Sequence, residues 1–267
     1  MGVSVTILAS GSGGNSAMIA SATTRVLVDV GLSCREIIRR LTALGQDPCS
    51  LSAILITHEH SDHIAGLRVL AKKLQIPVFM TGATHTVWAR AIQDERGEAP
   101  QLEQLELFSA GKNFQVGDIA ITPFTIPHDA ADPVGFTFML EGVKIGIATD
   151  LGYIPGSVRH HLRGCDVLLV ESNHDLEMLR GGTYPWSVKQ RVMSRVGHLS
   201  NDALAEFFTS DYDGCAAYVV LAHLSAQNNH PEIALAAAEK ALSGRRTLLR
   251  NRVLLAKQAE SLQPIWL

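Results

Sequence analysis

The segment Thr57-His58-Glu59-His60-Ser61-Asp62-His63 places three imidazoles and one aspartate carboxylate close together in the chain. Residues two apart in an extended segment point the same way, so His58 and His60 can converge on one cation. Asp62 and His63 open the next helix and can turn toward a second. Imidazole nitrogen and carboxylate oxygen are the donors that borderline divalent metals take. A polar loop that merely happens to be rich in histidine is the competing reading, and the density of donors argues against it.

One loop cannot complete a site for two ions, so further ligands are expected where other strands end. Residues 119–127 lead into His128, residues 144–149 into Asp150, and residues 217–222 into His223. His58 also follows a strand-like run. A sheet that delivers side chains from its strand ends sets them at one rim, where a rigid scaffold meets variable loops. Any one of these would be an ordinary polar strand exit; their joint occurrence with the cluster makes them a ligand set.

The elements that must position them are short β-branched runs separated by turn residues: 3–8, 26–30, 53–57, 78–80, 119–125, 135–140, 144–149, 167–170 and 217–221. Helical patterns fall between them. Ser33 with Glu36 reads as a capping box for a helix running to Leu44 and ended by Gly45. Others are expected at 64–74, 84–94, 185–196, 201–210 and 231–242, the last with Pro231 in its first turn. No repeat, low-complexity tract or flexible linker divides the chain, so residues 1–267 are read as one domain. Two sheets packed face to face with helices outside fit the alternation, although periodicity alone does not fix that arrangement.

Composition permits a sizeable core, with 46% hydrophobic and 18% charged residues. A formal net charge of −3 provides no bulk attraction to nucleic acid, so such binding must come from a local patch. Cys34, Cys49, Cys165 and Cys215 are scattered and form no CxxC pair, so nothing asks for an oxidising compartment. The first residues lack a basic segment followed by an apolar stretch, and runs such as 166–170 are too short to span a bilayer. Gly2 with Thr6 fits a myristoylation pattern, but the first strand explains those residues better. A cytoplasmic protein with no membrane partner is expected.

The order HxHxDH, His, Asp, His resembles the metallo-β-lactamase superfamily over nearly the whole chain. The resemblance implies an α/β fold, a four-layer αββα sandwich. It also implies that His58, His60 and His128 hold one divalent ion, that Asp62, His63 and His223 hold a second, and that Asp150 bridges both. Asp29 matches the family's early aspartate, which orients a ligand. Zinc, manganese, iron, nickel or cobalt would suit such donors. Two ions so placed lower the pKa of a shared water to about 7 and stabilise charge on the attacked centre, so hydrolysis follows. The substrate does not, because the superfamily cleaves lactams, thioesters and phosphodiesters with similar sites.

Three features bear on the substrate. A bridging Asp150 resembles the phosphodiesterase and thioesterase branches more than the true β-lactamases. Glu171, after the strand 167–170, and His198 resemble the carboxylate–histidine pair of the nuclease branch. There the histidine protonates the leaving oxygen, and an imidazolium beside a carboxylate can do this near neutral pH; capping of the following helix is the plainer alternative for His198. Finally, Ser10-Gly11-Ser12-Gly13-Gly14-Asn15-Ser16, Glu171-Ser172-Asn173-His174 and Ala222-His223-Leu224-Ser225 with Asn228-Asn229-His230 resemble the small bacterial branch called YycJ or WalJ, associated with exonuclease activity on DNA.

The expected function is therefore a metal-dependent phosphodiesterase, an exonuclease acting on DNA ends through a water activated by two metals. Asp62, His198 and Glu171 form the catalytic set. A thioesterase-like or lactamase-like small-molecule hydrolase of the same fold is the alternative. Ser12, Asn15, Ser172, Asn173, Ser225 and Asn229 are candidate substrate-binding residues. The glycine-rich loop is neither a dinucleotide fingerprint nor a P-loop; it lets backbone approach the metal rim, and Ser12 or Asn15 could donate to a phosphate oxygen, with a simple tight turn equally open. The interval from Asp150 to His223 has no room for the large insertion of the RNA-cleaving relatives, and no tRNA-binding arm is visible. Lys189, Arg191 and Arg195 are candidates for phosphate contacts, a solvated basic face being the alternative. His85, His160 and His161 are read as surface or helix residues, and His174 and His230 lie near the rim by resemblance alone. The apolar end, residues 264–267, is expected to dock on the body.

Overall fold

The computed structural model describes residues 2–93, 101–243 and 251–267. The first sheet is built from β1 (Ser4–Ala9), β2 (Ser16–Ala20), β3 (Arg25–Val28), β4 (Ala53–Leu55), β5 (Val78–Thr81) and β6 (Leu105–Phe108). The second contains β7 (Phe114–Val116), β8 (Ile119–Thr125), β9 (Val134–Leu140), β10 (Val143–Ala148), β11 (Val167–Glu171), β12 (Tyr218–Ala222) and β13 (Arg252–Leu255). The chain then returns as β14 (Ile265–Trp266), which pairs antiparallel with β1 at the edge of the first sheet, so the apolar end docks on the body as expected. Apart from β14, the antiparallel strands of each sheet come first and the parallel ones last, with β3 to β6 parallel in one and β10 to β13 parallel in the other.

Alternation along the strands decides the layers. Val26 and Val28 of β3 face the second sheet, as do Val167 and Leu169 of β11, and with Phe136, Phe138 and Ile7 they form the core between the sheets. Leu27, Ile54 and Leu8 point the other way and pack on helices α1 (Cys34–Ala43), α3 (Leu67–Leu74) and α4 (Gly82–Ala91). On the far side Leu168, Val170 and Val219 pack on α5 (Gly156–Leu162), α8 (Asn201–Ser210) and α9 (Pro231–Ser243). Strands buried on both faces carry continuous apolar runs, which is why they read as strands in the sequence. The result is the αββα sandwich. Three further helices matter for the site or its surroundings: α2 (Ser61–Ile64), α6 (Leu176–Gly181) and α7 (Trp186–Val192).

Several expected boundaries are corrected. The helix expected at 64–74 is broken into α2 and α3 at Gly66, where a Cβ would sit 2.1 Å from the Leu32 carbonyl oxygen, so the chain steps around that contact. Only half of the capping box forms: Ser33 Oγ accepts from the Glu36 N–H, while the Glu36 carboxylate is held by Arg39 and Arg40. The expected strand 26–30 stops at Val28 because Asp29 takes a left-handed φ of 61°. Helix 185–196 is shortened to α7, and helix 84–94 shifts to α4, with Asp94 outside the described residues. Strands β2, β6, β7, β13 and β14 and helices α5 and α6 were not expected; most are too short or too polar for periodicity to register.

Candidate metal centre and active site

The parallel strands of both sheets end at one rim, and the candidate residues leave from those ends. Asp29 follows β3, Thr57 and His58 follow β4, Asp150 follows β10, Glu171 ends β11 and His223 follows β12. Five non-glycine residues have positive φ among those described, and three of them are here: Asp29 (61°), Asp150 (60°) and His223 (53°). Gln75 ends α3 and Glu141 turns the β9–β10 hairpin, which are ordinary left-handed positions. The other three are turned sharply off a strand so that their side chains enter the rim, a strain of the kind that collects at functional sites.

The structure brings together every predicted ligand. His58, His60 and His128 each offer a ring nitrogen within 4.8 Å of the others, and Asp62, His63 and His223 do the same. His60 Nδ1 and His128 Nε2 face each other at 3.2 Å. His63 Nε2 lies 3.5 Å from Asp62 Oδ2 and 3.3 Å from Asp150 Oδ2, and His223 Nε2 lies 3.4 Å from Asp62 Oδ2. Donors held at metal–ligand distance around one tetrahedral ion stand about 3.4 Å apart, so the spacing fits. Asp150 is also grouped with His58 and His63, one residue from each triad, as a shared ligand requires.

The outward nitrogens are fixed by partners behind them. His63 Nδ1 donates to Asp29 Oδ2 at 2.8 Å, His128 Nδ1 to the Gly197 carbonyl at 3.2 Å, and His223 Nδ1 to Glu171 Oε1 at 2.9 Å. Thr57 Oγ1 donates to Asp29 Oδ2 and stands 3.0 Å from His58 Nδ1, from which it accepts. These bonds turn the other ring nitrogen of each of the four histidines toward the site, the orientation a metal ligand needs. His58 Nε2, Asp150 Oδ2 and His223 Nε2 are buried without a hydrogen-bond partner. Buried polar atoms are seldom left so, and three orphaned donors converging on one centre fit a divalent cation.

Electrostatics point the same way. Burial alone would lift the Glu171 carboxyl, but the charge of His198 and hydrogen bonds from His198 and His223 hold it at about 2. Asp150 is likewise opposed by burial and held well below its ordinary range by the charges of His223 and His63. Burial drags on His223, yet the charge of Asp150 and hydrogen bonds to Asp62 and Glu171 push it up to about 10. Buried carboxylates demand compensating positive charge, and without an ion the imidazoles supply it by taking up protons.

Glu171 is fully buried and does more than the sequence indicated. Its Oε1 accepts from both His198 Nδ1 (2.8 Å) and His223 Nδ1 (2.9 Å), and its Oε2 accepts from the backbone N–H of Leu151 (2.8 Å) and Leu199 (3.2 Å). One carboxylate therefore orients a candidate ligand and His198 together. His198 does not cap α8; Ser200 does, its Oγ accepting from Ala203 N–H. His198 instead lines a pocket of about 190 Å³ over the cluster, with Ser12, His60, Asp62, Asp150 and His223.

Most of the proposed substrate-binding residues are drawn into the framework. Ser12 is exposed in the pocket wall. Asn15 is buried: its Nδ2 donates to Asp62 Oδ2 and its backbone N–H to the Asp62 carbonyl, so it braces a ligand and is not free for phosphate. Ser172 Oγ donates to Asn201, Asn173 Nδ2 to the His223 carbonyl, and Asn229 Nδ2 to the carbonyls of Ser172 and Asn173. These three are buried, and Ser225 Oγ accepts from the Asn228 N–H, away from the pocket. Buried amides and hydroxyls satisfy backbone groups wherever irregular loops converge; here they hold the loops that carry His223. His174 is fully buried with both ring nitrogens unpartnered, and His230 is exposed at the start of α9. His85 lies on α4, and His160 and His161 on α5, outside the pocket lining.

Of the basic trio, Lys189 is buried with Nζ donating to the Arg180 carbonyl, and Arg195 lies over the Tyr153 ring at 4.5 Å. Arg191 alone of the three reaches the pocket. Sequence reasoning missed Asp129, Thr57 and Gly197. Asp129 follows a candidate ligand directly, which was the available signal; Thr57 and Gly197 act through contacts that nothing local announces.

The glycine-rich loop does bring backbone against the metal rim. A Cβ on Gly14 would lie 2.7 Å from the Gly31 carbonyl oxygen, and Ser10 Oγ accepts from the His223 N–H. Among the described residues no helix is long and apolar enough to cross a membrane.

A family model for the β-lactamase superfamily domain matches residues 24–224. The chain is 39% identical over 238 residues to the exodeoxyribonuclease YycJ of Bacillus anthracis, covering 88% of this chain and 87% of the relative. It is 38% identical over 234 residues to the exodeoxyribonuclease WalJ of Streptococcus pneumoniae, covering 88% and 86%. Two solved structures share the fold: the metallo-β-lactamase fold protein YhfI from Bacillus subtilis, with a TM-score of 0.72, 17% identity and 97% and 98% coverage, and a diphosphatase from the PhnP family, with a TM-score of 0.67, 18% identity and 100% and 98% coverage. At such identities they speak to the fold alone. With the matched domain, the two relatives and the ligand order in agreement, this chain belongs to the metallo-β-lactamase superfamily and resembles its YycJ and WalJ members.

Proposed function

We propose that this chain is a metal-dependent phosphodiesterase that shortens DNA from an end. The observation that carries the reading is the Glu171–His198 pair at 2.8 Å, with Glu171 buried behind and His198 in the pocket lining, outside both histidine triads. His58, His60 and His128 would hold one divalent ion and Asp62, His63 and His223 a second, with Asp150 shared between them; zinc, manganese, nickel and cobalt all suit these donors. When bound, such ions supply Lewis acidity that activates water and offsets the charge building on the attacked phosphate.

The chain's own residues do the rest. Glu171 receives His198 Nδ1–H and so turns Nε2 toward the pocket. Burial pulls the His198 imidazole down, but the charge and hydrogen bond of Glu171 outweigh it and raise the group above its ordinary value, which favours the protonated form. Nε2–H then donates to the departing oxygen, which an alkoxide leaving group requires. Asp62, half-buried in the pocket wall and braced by Asn15, accepts a hydrogen from the attacking water. DNA as the polymer is supported by the YycJ and WalJ relatives, which are named as exodeoxyribonucleases. Residues 1–267 would work as a single domain in the cytoplasm, with Cys34, Cys49, Cys165 and Cys215 as free thiols.

Incubating the protein, loaded in turn with Zn²⁺, Mn²⁺, Co²⁺ and Ni²⁺, with end-labelled single- and double-stranded DNA tests this. Progressive shortening is expected, and His198→Ala should slow it about 10²–10⁴-fold, the worth of a positioned proton donor. No shortening with any of the four ions would refute it. Hydrolysis of a thioester or lactam that is indifferent to His198→Ala would instead identify a small-molecule hydrolase.

A further inference from the structure

Helix α7 forms one wall of the pocket mouth. Val188, Arg191 and Val192 all line it, at the i, i+3, i+4 spacing that puts three side chains on one helix face. Arg191 is the only lysine or arginine among the described residues lining that pocket. Its Nε donates to Asp129 Oδ2, while the arginine side chain stays 66% exposed. Asp129 Oδ1 in turn lies 3.5 Å from His128 Nε2, so the guanidinium is tethered within one carboxylate of the candidate metal cluster. The neighbouring cations are committed elsewhere, Lys189 to the Arg180 carbonyl and Arg195 to the face of Tyr153.

A tethered, solvent-facing guanidinium between two valines at the lip of a phosphodiesterase pocket has an anion partner on one side and none on the other. We propose that Arg191 grips the phosphate adjoining the scissile one, and that Val188 and Val192 receive the sugar and base of the same nucleotide without reading its identity. Arginine suits this task because its planar fork matches phosphate oxygens in pairs. Val188 is 39% exposed, an apolar surface left open beside a charge, which is the combination a nucleotide presents in reverse. The inference rests on the phosphodiesterase reading given above and adds the residues that hold the polymer.

The test measures binding as well as turnover. A fluorescein-labelled oligothymidylate with phosphorothioate linkages is titrated into the metal-loaded protein at several salt concentrations, and steady-state kinetics are taken on the ordinary phosphodiester. A lost charge-assisted hydrogen bond corresponds to about 10–100-fold in affinity. Arg191→Ala should therefore raise Kd and KM by about that factor and flatten the salt dependence by about one phosphate contact, leaving kcat nearly unchanged. Arg191→Lys should recover part of the loss. Arg195→Ala, which removes a nearby charge outside the pocket, should behave as wild type.

Unchanged Kd and salt slope in Arg191→Ala would overturn the assignment, as would an equal loss in Arg195→Ala, which would show a bulk charge effect. If the wild-type protein cuts DNA and Arg191→Ala cuts and binds as well, this inference fails alone. If the wild type neither binds nor cuts, the phosphodiesterase reading fails and takes the inference with it.

Discussion

Replacing Glu171 by glutamine keeps the side chain's shape and removes its charge and half of its accepting capacity. The carboxylate accepts from His198 Nδ1, His223 Nδ1 and the backbone N–H groups of Leu151 and Leu199 at 2.8 to 3.2 Å. A glutamine oriented with its oxygen to the backbone turns its NH₂ on two imidazole N–H groups; reversed, it turns the NH₂ on two backbone N–H groups. Either way two buried donors lose their partner, at about 1–3 kcal/mol each, so about 2–6 kcal/mol of stability is at stake. The imidazoles can relieve the clash by moving their protons to Nε2. For His223 that places a proton on the nitrogen facing the candidate metal, so relief of strain becomes loss of metal, about 10–100-fold in affinity for an orienting partner of this kind. Glu171→Gln should thus melt lower, bind divalent ions more weakly by calorimetric titration and turn over end-labelled DNA more slowly, all three together. A variant that melts at the wild-type temperature and takes up metal with wild-type affinity would refute the reasoning, because the shared carboxylate would then be dispensable.

Metal uptake should release protons, because a cation must displace those carried by His223, which nearby carboxylates push up to about 10, and by His63, raised well above its ordinary value; adding Zn²⁺ to chelator-treated protein in weak buffer at neutral pH should acidify it, and a titration without acidification would count against the ligand set. His174 is lowered from 6.5 to about 4 by burial, which outweighs the pull of the Glu171 charge. The unfolded chain therefore protonates it first as pH falls, and stability is lost between pH 6.5 and about 4 by about 3 kcal/mol. His174→Leu should flatten that part of the pH dependence in urea unfolding, and an identical profile for the two proteins would dismiss the idea. Gly31→Ala would set a Cβ 1.7 Å from the Asp62 carbonyl oxygen and 2.5 Å from the Asn15 nitrogen, both backbone. Overpacking there should cost at least about 1–3 kcal/mol and weaken metal uptake while the circular dichroism of the sheets persists; wild-type metal affinity would show that the two loops need not touch.

The sequence by itself determined the donor set. Ligand types and the spacing of His58, His60, Asp62 and His63 are local properties, and His128, Asp150 and His223 stand where strand patterns stop. Runs such as Val26-Leu27-Val28 also declared strands, and they are continuously apolar because each face meets an apolar layer in the structure. What the sequence left open is everything set by distance in space. Lys189, Arg191 and Arg195 are equivalent in a string of residues; only the packing of α7 and the turn after it buries one, stacks another on Tyr153 and leaves Arg191 at the mouth. Asn15 and Asn229 look like ligand-binding amides until loops distant in sequence claim their hydrogen bonds. Glu171 could be paired with His198 by resemblance, but its hold on His223 depends on β11 and β12 lying side by side, with Glu171 opposite Ala222. Side-chain type fixes what a residue can do. Which partner it meets is settled by the pairing of strands and the left-handed turns at their ends, where close approach outweighs local preference.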